Sequence, residues 1–171
     1  NIVGMGVYAP DWQRAHYSGI RSVGLLESTV FDPAKWRPMT ESAALANHLP
    51  DDDYWAAKQI LAFTDDDLRV VVKAAQYTDP AAEEWVAKCL IERRDKVGRY
   101  CLDRVLPLEN FRIEDGTLRF DDLAVQRGFR SAQNYTIQWS EFRNLQKEHV
   151  TLQRENSFRV PELAVAAEAG A

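Results

Sequence analysis

Two helix starts in the middle of the chain constrain its fold more than any other feature. Residues 64–67 read TDDD, in which the Thr64 hydroxyl can cap a helix while the Asp67 carboxylate reaches back to the capping residue. Asp79 and Pro80 form the second start, because a capping carboxylate precedes a proline at the first helical position, where its missing N–H costs nothing. A residue before proline avoids the α region, so the preceding helix must end by Asp79.

The residues after Pro80 predict one long helix that continues to about Arg104. At 100° per residue its apolar face is formed by Val86, Cys89, Leu90, Val97, Tyr100 and Cys101. The helix that starts at Thr64 has its own apolar face at Leu68, Val71, Val72 and Ala75. Residues 51–63 open with aspartates and predict a further helix before it. The middle of the chain is therefore predicted to hold three helices.

The long helix carries two placements that a structure can test. Arg93 falls inside the apolar face, so its guanidinium is expected to pair with a carboxylate or with several backbone carbonyls. Cys89 and Cys101 lie twelve residues apart. On a continuous helix their Cα atoms are roughly 18 Å apart, whereas a disulfide needs them within about 7 Å. We expect two reduced, buried thiols.

After Arg104 the apolar period changes from that of a helix to that of a strand. Residues 111–114 and 117–120 alternate apolar with polar and are joined by Asp115-Gly116, a strong hairpin signal. Residues 121–128 predict a short helix that closes at a glycine. Further short strands are predicted at three places: residues 135–139, with Tyr135, Ile137 and Trp139 on one face, residues 150–152 and residues 158–160.

The first fifty residues show little regular pattern. Gly4, Gly6 and Ala9 match a dinucleotide-binding fingerprint, whose chemistry needs a strand before it and a helix directly after it. Here two residues precede the motif and Pro10-Asp11 follows, which favours a glycine-containing extended segment. Residues 19–31 can hold a short strand, and residues 32–38 predict a turn with Trp36 as an anchor. We expect an α+β chain with an irregular N-terminal wrap at 1–50, a three-helix unit at 51–106, a small antiparallel β unit at 107–160 and a tail at 161–171.

Composition excludes several classes of protein. The net charge of −5 argues against a general binder of nucleic acid or of anionic membranes. No apolar run approaches the roughly 20 residues that span a bilayer. Two cysteines are too few for a disulfide scaffold.

Motifs for catalysis, metals and cofactors are missing from the sequence. His16, His48 and His149 lie far apart and show no metal-ligand spacing. The aspartate runs at 51–53 and 65–67 lack the alternation of a calcium loop, and both precede helical patterns, which favours capping. No G-x-S-x-G nucleophile elbow occurs. We therefore predict no catalytic residue, no metal site and no cofactor.

The single concentrated basic cluster is formed by Arg93, Arg94, Lys96 and Arg99. Guanidinium and ammonium groups at this density are typical of a site for an anion, a phosphate or an acidic partner. The alternative is that these groups form salt bridges to carboxylates of neighbouring elements, and the sequence favours it.

Seven short runs stand out as a set: FDP and WRP within 31–38, DYWAAK at 53–58, FTD at 63–65, YTDP at 77–80, LIERRDKVGR at 90–99 and YTIQWSEFRN at 135–144. Together they resemble the C-terminal region of a family of large uncharacterised bacterial proteins. The resemblance covers the chain from Arg21 to about Leu152. It implies that this chain is one part of a longer polypeptide, and it transfers no functional residues.

Two functions remain open at this point. The first is a non-catalytic structural or interaction region that binds another polypeptide or the rest of its own parent chain. The second is a part of an enzyme whose active site is completed by another chain or an upstream domain, with the basic cluster contacting an anion.

Overall fold

The computed structural model describes residues 10–40, 42–143, 147–153 and 156–161. The chain has an α+β fold with an irregular N-terminal wrap, a three-helix unit and a small antiparallel β unit. It divides into two compact units, Asn1–Leu106 and Pro107–Ala171. The glycine fingerprint of the first nine residues lies outside the described residues.

The described residues of the first unit form five helices: α1 Asp11–Arg14, α2 Ala43–Ala46, α3 Pro50–Ala62, α4 Asp65–Ala74 and α5 Pro80–Leu102. Both predicted helix starts are confirmed. Thr64 Oγ1 accepts a hydrogen bond from the Asp67 amide at 3.1 Å, and the Asp67 carboxylate accepts one from the Thr64 amide at 2.8 Å. Asp79 Oδ1 accepts from the Ala81 amide at 2.8 Å. These bonds satisfy amides that have no partner within the helix.

The core of this unit lies where α3 and α4 pack on α5. The fully or nearly buried side chains are Ala57, Leu61, Val72, Ala82, Val86, Ala87, Cys89, Cys101 and Leu102. Gly98 lets α3 approach α5 closely, because a Cβ atom at this position would lie 2.6 Å from Leu61 Cδ2. The prediction for the apolar face of α4 is wrong in part: Val71 is 58% exposed, because α4 buries only the row that contains Val72 and half-buried Leu68.

The N-terminal wrap also corrects two predictions. Within the described part of 19–31 the structure has turns and bends rather than a strand. Its carbonyls do not join a sheet, since several of them accept hydrogen bonds from side chains of α5. Trp36 is not an anchor in the core, because its side chain is 57% exposed.

The second unit begins with the predicted hairpin. Strands β1 Leu108–Glu114 and β2 Thr117–Asp122 pair antiparallel, with Ile113 opposite Leu118. Asp115 has a φ of 50° and Gly116 a φ of 72°, and two consecutive positive values are what a tight two-residue hairpin turn needs.

A short helix follows the hairpin, as the sequence predicted. Helix α6 spans Leu123–Gln126. The chain leaves the helix through Arg127 and Gly128, and Gly128 has a φ of 68°. The Gly128 amide donates to the Val125 carbonyl and the Phe129 amide donates to the Ala124 carbonyl, both at 2.9 Å. This pair of bonds satisfies the last carbonyls of the helix, and only glycine adopts the required conformation without strain.

The second sheet pairs β3 Trp139–Arg143 with β4 Glu148–Gln153. The predicted strand at 150–152 is confirmed within β4. The predicted strand at 135–139 is wrong except at its last residue. Its polar groups form hydrogen bonds with residues 156–157 instead of with a neighbouring strand. The Ile137 amide donates to Asn156 Oδ1 at 2.8 Å, and Trp139 Nε1 donates to the Ser157 carbonyl at 2.9 Å.

Residues 158–160 extend the first hairpin without forming a full strand. The Leu118 amide donates to the Phe158 carbonyl and the Val160 amide donates to the Gly116 carbonyl, each at 2.8 Å. Arg159 forms an isolated bridge with Thr117. The strand predicted here is therefore reduced to one bridge beside β2.

Candidate functional site

The predicted basic cluster on α5 divides between two faces of the helix. Arg93 and Lys96, three residues apart, both reach the N-terminal wrap. Arg93 Nε donates to the Glu27 carbonyl at 2.6 Å, and its guanidinium lies 3.7 Å from the Glu27 carboxylate. The same guanidinium stacks over the Phe31 ring, 4.7 Å from the centroid. The expected pairing of Arg93 is confirmed.

Lys96 holds the next residues of the wrap. Its ammonium donates to the carbonyls of Ser28, Thr29 and Phe31 at 2.5, 3.0 and 3.1 Å. An ammonium has three hydrogen-bond donors, and here all of them meet backbone carbonyls. Trp85 Nε1 adds a bond of 2.9 Å to the Leu26 carbonyl. We call residues 26–31 and the α5 side chains that hold them the clamp.

The clamp contains a buried carboxylate. Glu27 is 6% exposed and Ser28 is 3% exposed, and the Ser28 hydroxyl donates to the Glu92 carboxylate. Burial alone would raise the pKa of Glu27. Hydrogen bonds from the Val30 amide and the Thr29 hydroxyl, together with Arg93, outweigh burial and hold that pKa below its ordinary value. Glu27 is therefore ionised at neutral pH and stabilises the clamp as an anion.

Arg94 projects away from the clamp and joins α5 to the start of α4. Its guanidinium contacts the Asp65 carboxylate at 2.7 Å, the Asp95 carboxylate at 2.7 Å and the Phe63 carbonyl at 2.8 Å. Arg99, the last member of the predicted cluster, is exposed. Arg93 and Arg94 form salt bridges, as in the salt-bridge alternative, and Lys96 binds backbone carbonyls. An anion site at this cluster stays a prediction.

An open cleft of about 1080 Å³ lies elsewhere in the first unit. Four aromatic side chains from three parts of the chain line it: Phe31 and Trp36 from the wrap, Trp55 from α3 and Tyr100 from α5. Trp36 is 57% exposed and Trp55 is 66% exposed. Indole surface of this extent in a cleft is typical of a binding site, because its burial by a ligand is favourable.

Two arginines also line the cleft. Arg37 Nη1 donates to the carbonyls of Ala34 and Trp36 at 3.1 and 2.7 Å. Arg104 Nη1 donates to the Tyr100 hydroxyl, and its guanidinium lies over that ring, 5.0 Å from the centroid. Neither guanidinium forms an ion pair with any residue that the structure describes. Both therefore retain donors for a ligand.

The acidic groups of the cleft already have partners. Asp53 Oδ1 lies 3.2 Å from His48 Nε2, and Asp52 Oδ2 accepts from the Leu49 amide at 2.8 Å. Asp52 thereby caps α3 through one of its two carboxylate oxygens.

Cys101 lines the same cleft but is poorly suited to nucleophilic chemistry. Burial raises the pKa of its thiol, and the nearby Asp53 carboxylate raises it further. Burial also raises the pKa of Cys89. A nucleophilic cysteine needs the thiolate, which both environments disfavour. Both cysteines are free and buried on the uninterrupted helix α5, so the prediction that they do not bond to each other is confirmed.

A smaller pocket of about 320 Å³ lies between α3, α4 and α5. Its lining is mostly apolar and comes from Ile60, Phe63, Leu68, Leu90 and Val97, with Arg93 and Arg94 at the side. Both arginines are already bound within the fold, so this pocket offers apolar contact rather than charge.

In the second unit, Asp122 forms the main polar cluster. Its carboxylate accepts from the Ala124 and Val125 amides, from Arg130 and from the Tyr135 hydroxyl. Burial would raise the pKa of Asp122, and these bonds lower it below its ordinary value. The cluster caps α6 and is structural.

Neither a metal-binding group of side chains nor a membrane-spanning helix occurs among the described residues. Within these residues no three histidine, cysteine or carboxylate side chains are grouped as a metal would need. Over the same ranges no helix combines the length and the apolar character of a membrane span.

Sequence reasoning missed the cleft as a site. The sequence predicts Trp36 as the anchor of a turn and Tyr100 as part of an apolar helix face, and Arg37 and Arg104 are isolated basic residues. Their association depends on how residues 31–48 lie against α3 and α5, and no local pattern encodes that. Comparison of the chain with protein-family models, with curated protein sequences and with solved structures gave no match.

Proposed function

We propose that this chain is a non-catalytic interaction region of a larger bacterial protein. In this proposal the cleft binds an extended segment of another polypeptide or of the remainder of its parent chain. The observation that carries the proposal is the pair of tryptophans, Trp36 and Trp55, which are 57% and 66% exposed in one cleft of about 1080 Å³.

The physical support comes from the side chains of the cleft. Tryptophan, tyrosine and arginine are the residues most enriched among those that dominate the free energy of protein–protein binding. All three types line the cleft, as Trp36, Trp55, Tyr100, Arg37 and Arg104. Rings that remain exposed in the free chain have apolar surface to bury, and each aromatic side chain can bury about 150–250 Å².

The contacts give less support to the enzyme alternative. Cys101 is the nucleophile candidate of the cleft, and its thiol has a raised pKa. The nearby histidine, His48, directs Nε2 to Asp53. Arg93, Arg94 and Lys96, on which the alternative depends, are bound to groups of the fold itself.

A selection experiment tests the proposal. A phage library of random twelve-residue peptides is selected on the chain, and the affinity of each selected peptide is measured by fluorescence polarisation. We expect micromolar binders whose affinity falls at least tenfold for the W36A/W55A variant. Both indoles are more than half exposed, so this variant is expected to remain folded.

The matched control is the V70A/V71A variant. Val70 and Val71 are 67% and 58% exposed on α4 and do not line the cleft. It should bind the selected peptides as the unchanged chain does. A library without binders, or binders that are indifferent to W36A/W55A, would contradict the proposal.

A further inference from the structure

We infer that the segment bound in the cleft is acidic, with its carboxylates paired to Arg37 and Arg104. This inference rests on the proposed function and specifies the chemistry of the partner. It concerns charge, whereas the proposal itself rests on the aromatic rings, so the two can fail separately.

Both guanidiniums of the cleft have hydrogen-bond donors that the fold does not use. Arg37 uses Nη1 for the carbonyls of Ala34 and Trp36, and Arg104 uses Nη1 for the Tyr100 hydroxyl. In the part of the chain that the structure describes, Nε and Nη2 of both side chains have no hydrogen-bond partner. An arginine with one edge free can bind a carboxylate through two parallel hydrogen bonds.

The two guanidiniums are held in place before any ligand binds. Two backbone carbonyls hold Arg37, and the ring and hydroxyl of Tyr100 hold Arg104. A side chain that is fixed before binding loses less conformational entropy when the ligand arrives. Both arginines are thus prepared for an anion.

The negative and positive side chains of the cleft differ in how the fold already uses them. Asp53 is paired with His48, and Asp52 accepts the Leu49 amide. Each of these carboxylates already has one partner within the fold, whereas Nε and Nη2 of both guanidiniums are open to an acidic segment. The clamp shows what arginine does when the fold itself supplies a carboxylate, since Arg93 is paired with Glu27.

The cleft is better suited to a polypeptide than to a small anion. The guanidiniums lie in a cleft of about 1080 Å³ together with Trp36, Trp55 and Phe31. A single phosphate would leave that aromatic surface uncovered. An acidic segment that also carries apolar side chains satisfies both parts of the cleft.

The test uses three labelled peptides of twelve residues with identical tryptophan, leucine and proline positions. Four remaining positions are all glutamate, all glutamine or all lysine. Fluorescence polarisation is measured at 50 mM and 500 mM NaCl. We expect the glutamate peptide to bind at least tenfold more tightly than the other two, with a preference that shrinks at high salt because exposed charges are screened.

Charge reversal in the protein completes the test. The R37E/R104E variant should reverse the order, so that the lysine peptide binds best. R69E is the control, because Arg69 is an exposed arginine of α4 outside the cleft. It should keep the glutamate preference. Circular dichroism establishes that both variants are folded.

Each outcome has one meaning. If the glutamine and lysine peptides bind as tightly as the glutamate peptide, the acidic preference is wrong while the aromatic cleft still binds polypeptide. If none of the three binds, and the random library also fails, both proposals are wrong. If millimolar inorganic phosphate displaces the glutamate peptide and the glutamine peptide does not bind, the arginines serve a small anion and the inference is overturned.

Discussion

The clamp and the cleft use the same kinds of side chain in opposite ways. In the clamp, Arg93 and Lys96 give their donors to a carboxylate and to backbone carbonyls of the wrap. In the cleft, Arg37 and Arg104 keep donors that no described residue of the chain accepts. Arg93, Arg94 and Lys96 of the cluster that stands out in the sequence hold the fold, while the isolated Arg37 and Arg104 keep open donors. The role of a basic residue here is therefore decided by the acceptors that the fold places beside it, and not by the density of charge around it.

Stability and binding should therefore separate along helix α5. Its side chains at positions 85, 93 and 96 fasten the wrap. Its later residues Val97, Tyr100 and Cys101 line the cleft. Substitutions in the clamp should lower the free energy of unfolding, and substitutions of exposed cleft residues should leave it nearly unchanged.

The largest single effect is expected for Arg93→Ala. It removes the partner of buried Glu27 and should lower the free energy of unfolding by about 2 to 3 kcal/mol. The value is below that for a fully buried pair because the Arg93 side chain is 31% exposed. Urea denaturation measures it, with Arg69→Ala as a control that should change stability by less than about 0.5 kcal/mol. Equal losses in both variants would remove the distinction between clamp and surface.

Gly98→Ala tests the close approach of α3 and α5, the two helices that contribute to the cleft. An added Cβ would lie 2.6 to 2.9 Å from atoms of Leu61, which is 1% exposed and has no room to move. The cost of overpacking should exceed the gain from the higher helix propensity of alanine. The free energy of unfolding should therefore fall by about 1 to 2 kcal/mol. In a Leu61→Ala background the same substitution should become neutral or stabilising. A stabilising effect in the unchanged chain would show that the contact is not tight.

Glu27→Gln tests the charge of the clamp through the pH dependence of the free energy of unfolding. The pKa of Glu27 is lowered in the folded chain, so its stabilising contribution is present above the unfolded value of about 4.3 and is lost as pH falls through the folded pKa. The variant should be less stable than the unchanged chain at pH 7 by about 1 to 2 kcal/mol. Urea titrations at stepped pH should show this gap closing in acid. A gap that stays constant down to pH 3 would mean that the carboxylate charge contributes nothing.

The smallest effect is expected for Trp55→Ala. A 66% exposed indole buries little surface in the free chain, so the free energy of unfolding should change by no more than about 0.5 kcal/mol. Its effect should appear instead as weaker peptide binding. A loss of stability comparable with that of Arg93→Ala would show that the cleft is part of the core.

Local signals in the sequence predicted the fold where structure is set by near neighbours. The caps at Thr64 and Asp79 determine two helix starts, and Asp115-Gly116 determines a hairpin, because each needs only residues a few positions apart. The predicted strand at 135–139 failed because alternation describes which side chains are buried and not which backbone groups pair. There the polar groups bind Asn156 and Ser157 instead of a neighbouring strand.

The candidate site was not predictable in the same way. The pairing of Arg93 followed from its place on an apolar face, but its partner Glu27 lies 66 residues away. The cleft brings together Trp36, Trp55 and Arg104 from separate segments. Whether an aromatic ring is exposed depends on the tertiary structure. Residue type alone predicts that such a ring is buried.

We infer that Arg93 and Lys96 hold the fold, whereas Arg37 and Arg104 contribute little to it and keep donors for a partner. Urea denaturation of R93A/K96A and R37A/R104A, side by side at neutral pH, tests it most directly. We predict a loss of about 3 kcal/mol or more for R93A/K96A, up to complete unfolding, and a change within about 1 kcal/mol for R37A/R104A. Equal losses in the two variants, or a larger loss for R37A/R104A, would contradict the account.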